Sequence, residues 1–429
     1  MTTFIFKDYF YDPVQKTAYF RYQADQYFFE EKLVFNDAGD TYDKDALDKA
    51  LFAIHLALGI SYYKTTLAEK IDGVLLSEKQ AKFWEDFYFK GLGEFRYVNQ
   101  INLKGKIKFP SSPAVKSNPS AVKLPERVLV PVGGGKDSVV TIEALKPLNP
   151  LLFSLNITPS IEQCIKVSGL SSVMISRTVD PFLIQLSKEK KVLSGHVPVT
   201  SMMTFILTAA AVLYGFDAAC FSNERSANSG NAVWEGAEIN HQWAKSYEAE
   251  RMCQDYIREN VLEHFICFSL LRQLSELSIA KAFATLKPYH FAFTSCNRQF
   301  ALTSENRTYH WCGQCPKCAF TFLILAPFMK RAHIIEIFGK NMFEDQSLIQ
   351  TYSELLGLSG IKPFICVGEF EEACQAFHLL KQMSEWQDDF ILKTLWPPVP
   401  ATDAFLIYGE NSIPPLYRKA LNAFTKTRL

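Results

Sequence analysis

The chain has 429 residues, and 45 Lys plus Arg balance 45 Asp plus Glu, so the formal net charge is zero. That length suits two or three domains, and the balance argues against a broad nucleic-acid surface, which carries a basic excess. No charged-then-apolar leader opens the sequence, so the ten cysteines fit a reducing, cytoplasmic compartment as thiols or metal ligands.

Residues 1–104 begin with aromatic-rich alternating runs, Phe4-Ile5-Phe6 and Thr17 to Tyr22, which predict antiparallel strands. Helical patterns follow at Asp43–Leu58 and Ser77–Lys90, giving a small α+β N-terminal domain. Residues 105–125, with Pro110, Pro113, Pro119 and Pro125, read as a linker. From residue 126 to about 330, strand and helix patterns alternate. Strands are predicted at Val128–Val132, Leu151–Leu155, Ser172–Ser176, Ala218–Ser222, Phe265–Phe268 and His290–Thr294. Such alternation predicts an α/β parallel sheet with helices on both faces, its ligands beyond the carboxyl ends of the strands. Val197 to Phe216 carries no charge, but its Pro, Thr, Ser and Gly content suits a helix buried in that core rather than a membrane span. Residues 331–429 read as a mainly helical C-terminal region.

The turn after the first of these strands is Gly133-Gly134-Gly135-Lys136-Asp137-Ser138, and a helical segment follows it directly. Strand, glycine turn and helix start aim unpaired N–H groups at an anion. Glycines let backbone approach a phosphate closely, and Lys136 adds a point charge. The spacing fits neither a Walker A loop nor the G-x-G-x-x-G fingerprint. It resembles the PP-loop, S-G-G-x-D-S/T, of the ATP pyrophosphatases, with Gly133 where that family has Ser. The resemblance implies that the loop binds ATP, with Asp137 near Mg²⁺.

Downstream, Cys312-Gly-Gln-Cys315-Pro-Lys-Cys318 sets three thiols at two-residue spacing, with Cys296 upstream as a fourth. Four thiolates suit structural zinc. An iron–sulfur cluster is the rival, although Phe322 stands where a ferredoxin run has its fourth Cys. Polar clusters at strand ends supply further candidates: Ser222, Asn223, Glu224 and Arg225; Asn240, His241 and Lys245; His196 before an apolar helix; and Arg298 beside Cys296. Helical continuation from Asn240 would put His241, Lys245 and Glu248 on one face, where Lys245 and Glu248 could equally be a surface ion pair.

Together these blocks, with Gly195 to Thr200, Ser269 to Arg272 and Leu274 to Leu277, resemble the ATP-dependent epimerase family that inverts the terminal glutamate of UDP-N-acetylmuramoyl-L-alanyl-L-glutamate. The cysteine pattern is also similar to that of 7-cyano-7-deazaguanine synthase, where it binds zinc. The resemblance implies a PP-loop, adenine nucleotide alpha hydrolase-like fold, an acyl-adenylate mechanism in peptidoglycan precursor synthesis, and no nucleic-acid or membrane partner. It offers His241, His196, Lys245 and Glu224 for proton transfer, and Ser222, Asn223, Arg225, Asn240, Arg272 and Arg298 for substrate binding. Adenylation followed by attack of ammonia or a sulfur donor is a second expectation, and a nucleotide sensor without turnover is a third.

Overall fold

A computed structural model describes residues 2–300, 307–360 and 362–429. In chain order its strands are β1 (Thr3–Asp12), β2 (Thr17–Ala24), β3 (Tyr27–Phe35), β4 (Lys70–Asp72), β5 (Val128–Pro131), β6 (Leu151–Leu155), β7 (Ser172–Thr178), β8 (Ala218–Phe221), β9 (Ala232–Trp234), β10 (Ala237–Ile239) and β11 (Ile266–Ser269). The helices that concern the site are α1 (Lys44–Tyr63), α2 (Glu78–Gly91), α3 (Lys136–Leu145), α4 (Val199–Tyr214), α5 (Tyr247–Asn260), α6 (Glu276–Ala284), α7 (Pro316–Leu325) and α8 (Phe370–Lys381). The architecture is mixed α/β, and the chain divides into two compact units, each built from several stretches of sequence.

The first unit comprises residues 1–129, 173–219 and 243–267. Its strands run in the order β7-β3-β2-β1-β4. β1 and β2 are the antiparallel strands expected from the aromatic alternation; β3, not expected, completes a meander and continues antiparallel onto β7, with Phe35 opposite Ile175. α1 starts where Asp43 accepts from the Ala46 N–H at 2.8 Å, and Ser77 with Gln80 makes a capping box before α2. The apolar run predicted as a buried helix is α4; it packs on α1, and no helix among the described residues is long and apolar enough to cross a membrane. A buried Glu31 accepts from Arg177 at 2.5 Å and from Tyr62 at 2.8 Å, so the meander carries a satisfied internal charge pair.

The second unit comprises residues 130–172, 220–242 and 268–429. It holds β6 and the carboxyl ends of β5, β8 and β11, in the order β11-β8-β5-β6. α3 packs on α6, and α7 packs on α6 and α8. One expectation is corrected here. His290–Thr294 forms no strand but follows a 3₁₀ turn at Lys287–Tyr289, because Pro288 fixes a turn and the backbone bonds Ala292 to Tyr289 and Thr294 to Gly134 instead of a ladder partner.

Candidate functional site

The glycine loop leaves β5 and becomes α3, whose first residues are Lys136, Asp137 and Ser138. Gly134 sits at φ +75°, and a Cβ there would lie 2.5 Å from Ser160 Oγ, so both conformation and space require glycine. Around Gly133 a Cβ would meet nothing within 4 Å. The loop is thus braced on the Gly134–Gly135 side and open at Gly133. Ser138 Oγ donates back to the Gly135 carbonyl at 2.9 Å, which closes the first helical turn.

Lys136 is buried and ion-paired to Asp137 and to Glu276, the first residue of α6. Burial alone would lower its pKa, but the two carboxylates outweigh that and raise it, so the ammonium stays charged. Lys317 stands 3.7 Å from the other oxygen of Glu276. The Glu276 N–H donates to Glu372 Oε1 at 3.0 Å, and Arg225 Nη2 lies 3.9 Å from that same oxygen. Glu372 is fully buried; burial, then the charge of Glu276, pushes its carboxyl up to about 8 despite Arg225. A continuous line of ionisable groups therefore runs from the glycine loop to Arg225 through Lys136, Glu276 and Glu372.

The segment after β8 carries Ser222, Asn223, Glu224 and Arg225. Asn223 Nδ2 donates to Ser269 Oγ at 3.0 Å, and Arg272, also buried, donates to Ser269 Oγ at 3.1 Å and to the Glu224 carbonyl at 3.3 Å. Ser222, Asn223, Glu224, Arg225 and Arg272 thus belong to one polar assembly in the second unit. Asn240 and His241 follow β10: Asn240 Nδ2 holds the Ala227 carbonyl at 2.9 Å, and the His241 N–H donates to Asn231 Oδ1 at 2.8 Å. Arg298 is exposed on a 3₁₀ turn two residues past Cys296.

His196 and Lys245 are in the first unit. His196 Nδ1 is 3.5 Å from Glu94 Oε2, and Lys64 donates to the neighbouring Gly195 carbonyl. Residues 240–248 are not one helix. A 3₁₀ turn covers Trp243–Lys245, and α5 begins after Ser246, which caps it by accepting from Ala249. Glu248 pairs with Lys90 and Trp243 Nε1, not with Lys245, because the helix break takes Lys245 off that face.

The four predicted metal ligands converge. The Sγ atoms of Cys296, Cys312, Cys315 and Cys318 lie within 4.8 Å of one another, with Cys318 at 3.6 Å from Cys312 and 3.5 Å from Cys315. Tetrahedral zinc with Zn–S of about 2.3 Å needs sulfurs about 3.8 Å apart, so the donor set fits. Bonds from Cys315 and Cys318 hold the Cys296 thiol below its ordinary range, and those two thiols are raised in turn.

Sequence reading missed Glu372 and Lys362, and gave Glu276 no role although its Ser275-Glu276 capping signature is visible. Glu372 belongs to an ordinary-looking capping box with Glu369, and its partners lie far away in sequence.

Residues 1–270 match the MurL N-terminal domain and residues 292–405 match the MurL C-terminal domain. The chain belongs to the MurL family. Among its relatives, a UDP-N-acetyl-alpha-D-muramoyl-L-alanyl-L-glutamate epimerase of Xanthomonas oryzae pv. oryzae is 38% identical over 383 residues, covering 86% of this chain and 85% of the relative. A protein of the same name from a Micromonospora species is 40% identical over 392 residues, covering 87% and 86%, and one from Salinispora tropica is 38% identical over 395 residues, covering 89% and 85%. No solved structure matches the chain.

Proposed function

We propose that this MurL family member is an isomerase that inverts the terminal L-glutamate of UDP-N-acetylmuramoyl-L-alanyl-L-glutamate, at the expense of ATP, in the cytoplasm. The observation that carries the ATP-dependent part is the glycine loop opening α3, with Lys136 held charged and buried at its base.

The chemistry follows from the difficulty of the reaction. A glutamate α-proton resists removal while its carboxylate is ionised, because deprotonation would place two negative charges side by side. An oxygen of that carboxylate attacks the α-phosphorus of ATP, the bond to the β-phosphate oxygen breaks, and pyrophosphate leaves. The resulting mixed anhydride carries no charge on its acyl group, so the α-carbon becomes acidic. A base takes the proton from one face, an acid returns one to the other, and water cleaves the anhydride to AMP and the D-glutamyl product.

In this PP-loop reading, Gly133, Gly134 and Gly135 offer backbone N–H groups to the phosphates, Ser138 closes the turn, and Lys136 supplies charge. Asp137 is the loop carboxylate available to Mg²⁺, which screens phosphate charge when bound. His241 and His196 are assigned to proton transfer, with Lys245 and Glu224 next in order. Arg225, Arg272 and Arg298, with Ser222, Asn223 and Asn240, are assigned to the substrate's anionic and polar groups. Cys296, Cys312, Cys315 and Cys318 would hold structural zinc, whose role is to fix the loop around them.

The test is direct. Purified protein is incubated with ATP, Mg²⁺ and the UDP-muramoyl dipeptide; AMP, pyrophosphate and D-glutamate after acid hydrolysis should appear in equal amounts. Formation of ADP, or of AMP without D-glutamate, would discard the reading.

A further inference from the structure

Beside the polar assembly, the second unit contains a cavity of about 410 Å³, within the roughly 300–1,000 Å³ of small-molecule sites. Its wall includes Arg225, Ser229, Asn231, Lys362, Glu369 and Tyr408. Lys362 is only 6% exposed, yet its Nζ has no hydrogen-bond partner. Leaving a buried ammonium unsatisfied is costly.

The charges of Glu369, Glu372, Glu224 and Glu276 offset its burial only in part, and none of these carboxyls is within hydrogen-bond reach of Nζ. Glu372 accepts from the backbone N–H of Glu276 and of Glu369, and Glu369 Oε1 accepts from Ser229 Oγ at 2.5 Å. Arg225 is held as a tool would be held. Its Nη1 donates to the Leu406 carbonyl at 2.7 Å, and its guanidinium stacks 3.9 Å from the Tyr408 ring centre, while Nε remains without a partner. Two nearly buried cations with unused donors therefore line one polar cavity. A planar or tetrahedral oxyanion is the chemistry that would satisfy both.

We infer that this cavity grips an anionic group of the substrate, carboxylate or phosphate, through Lys362 and Arg225. The inference rests on the epimerase reading for the identity of the substrate, whose terminal glutamate and nucleotide diphosphate both offer such groups. The line of ionisable groups through Glu372, Glu276 and Lys136 joins the cavity to the glycine loop, so the substrate's anion and the ATP phosphates would be read by one connected set of groups.

Calorimetric titration of the full chain with two probes separates the sources. UDP-N-acetylglucosamine carries the diphosphate without any carboxylate, and L-alanyl-L-glutamate carries the glutamate without the diphosphate. Lys362→Met should weaken one probe about 10- to 100-fold, the loss of one charge-assisted hydrogen bond, and Lys362→Arg should recover most of it. Which probe responds names the anion. The thermal midpoint of Lys362→Met should stay level or rise, since an unpaired buried charge has gone. Unchanged affinities for both probes, no binding of either to the wild-type protein, or a fall in midpoint matching the lost affinity would each overturn the inference. Probe binding that survives in a protein making no AMP would instead remove the adenylation reading and leave the subsite standing.

Discussion

Glu372 gives the sharpest test of the buried charges. Its carboxyl is raised from 4.5 to about 8, so between those values the folded chain binds a proton that the unfolded chain has lost. Unfolding free energy therefore falls as pH climbs through that window. At about 1.4 kcal/mol per pH unit, the stability lost above pH 8 approaches about 4–5 kcal/mol. Glu372→Gln has no proton to lose. It also has one carboxamide oxygen where the carboxyl used two, accepting from Glu276 and Glu369; that costs about 1–3 kcal/mol at every pH. The variant should thus be less stable than wild type near pH 5, gain on it by about 1.4 kcal/mol per pH unit, and become the more stable protein before a plateau above pH 8. Urea unfolding followed by tryptophan fluorescence from pH 5 to 9 measures the difference directly. A difference that stays flat across that range would refute the raised carboxyl, and with it the burial and the charge of Glu276 that raise it.

Three further outcomes follow. Lys136→Met should reduce pyrophosphate release at least about 100-fold and destabilise the fold by about 3–5 kcal/mol, because the buried Glu276 loses its closest cation and Lys317 stands 3.7 Å away; adding Glu276→Gln should restore stability but not ATP turnover, which unfolding assays and pyrophosphate release resolve. His241→Ala should retain pyrophosphate release and abolish exchange of the substrate α-hydrogen in D₂O; survival of both activities would exclude His241 as the base. Cys312→Ser should lose the metal found by elemental analysis of the wild-type protein and lower the thermal midpoint by about 5–10 °C, the equivalent of a few kcal/mol.

What could be read from the sequence was local. Aromatic alternation in β1 and β2, the capped starts of α1 and α2, the uncharged run of α4 and the glycine turn before α3 each state their conformation within one short stretch of chain. The cysteine cluster was legible for the same reason, since three of its thiols share one short run and the fourth, Cys296, comes from elsewhere. What escaped was pairing at a distance. Nothing in Phe35 announces Ile175, and nothing in Lys136 announces Glu276. Residues 290–294 misled because an aromatic and β-branched run satisfies strand statistics whether or not a partner strand exists. Asn240–Glu248 misled because helical spacing was extended back through Ser246, whose side chain ends the helix by capping it.

The cysteine cluster and the glycine loop are mechanically coupled, which gives the proposed metal a role beyond stability. Cys296 donates its N–H to Thr294 Oγ1 at 3.2 Å, and the Thr294 N–H donates to the Gly134 carbonyl at 2.9 Å. Gln299 clamps the same stretch, donating to the Thr294 carbonyl and accepting from Ser160, the residue against which Gly134 is packed. A second route leaves from between Cys315 and Cys318: Lys317 faces Glu276, the partner of Lys136. One route fixes the loop's backbone and the other helps fix its charge. Sulfurs held by a metal keep both routes taut, whereas four free thiols would only exchange weak hydrogen bonds. Titration with a chelator should accordingly weaken ATP binding before the chain unfolds. Equal chelator midpoints for nucleotide affinity and for global unfolding would mean that the cluster supports the fold as a whole and not the loop in particular.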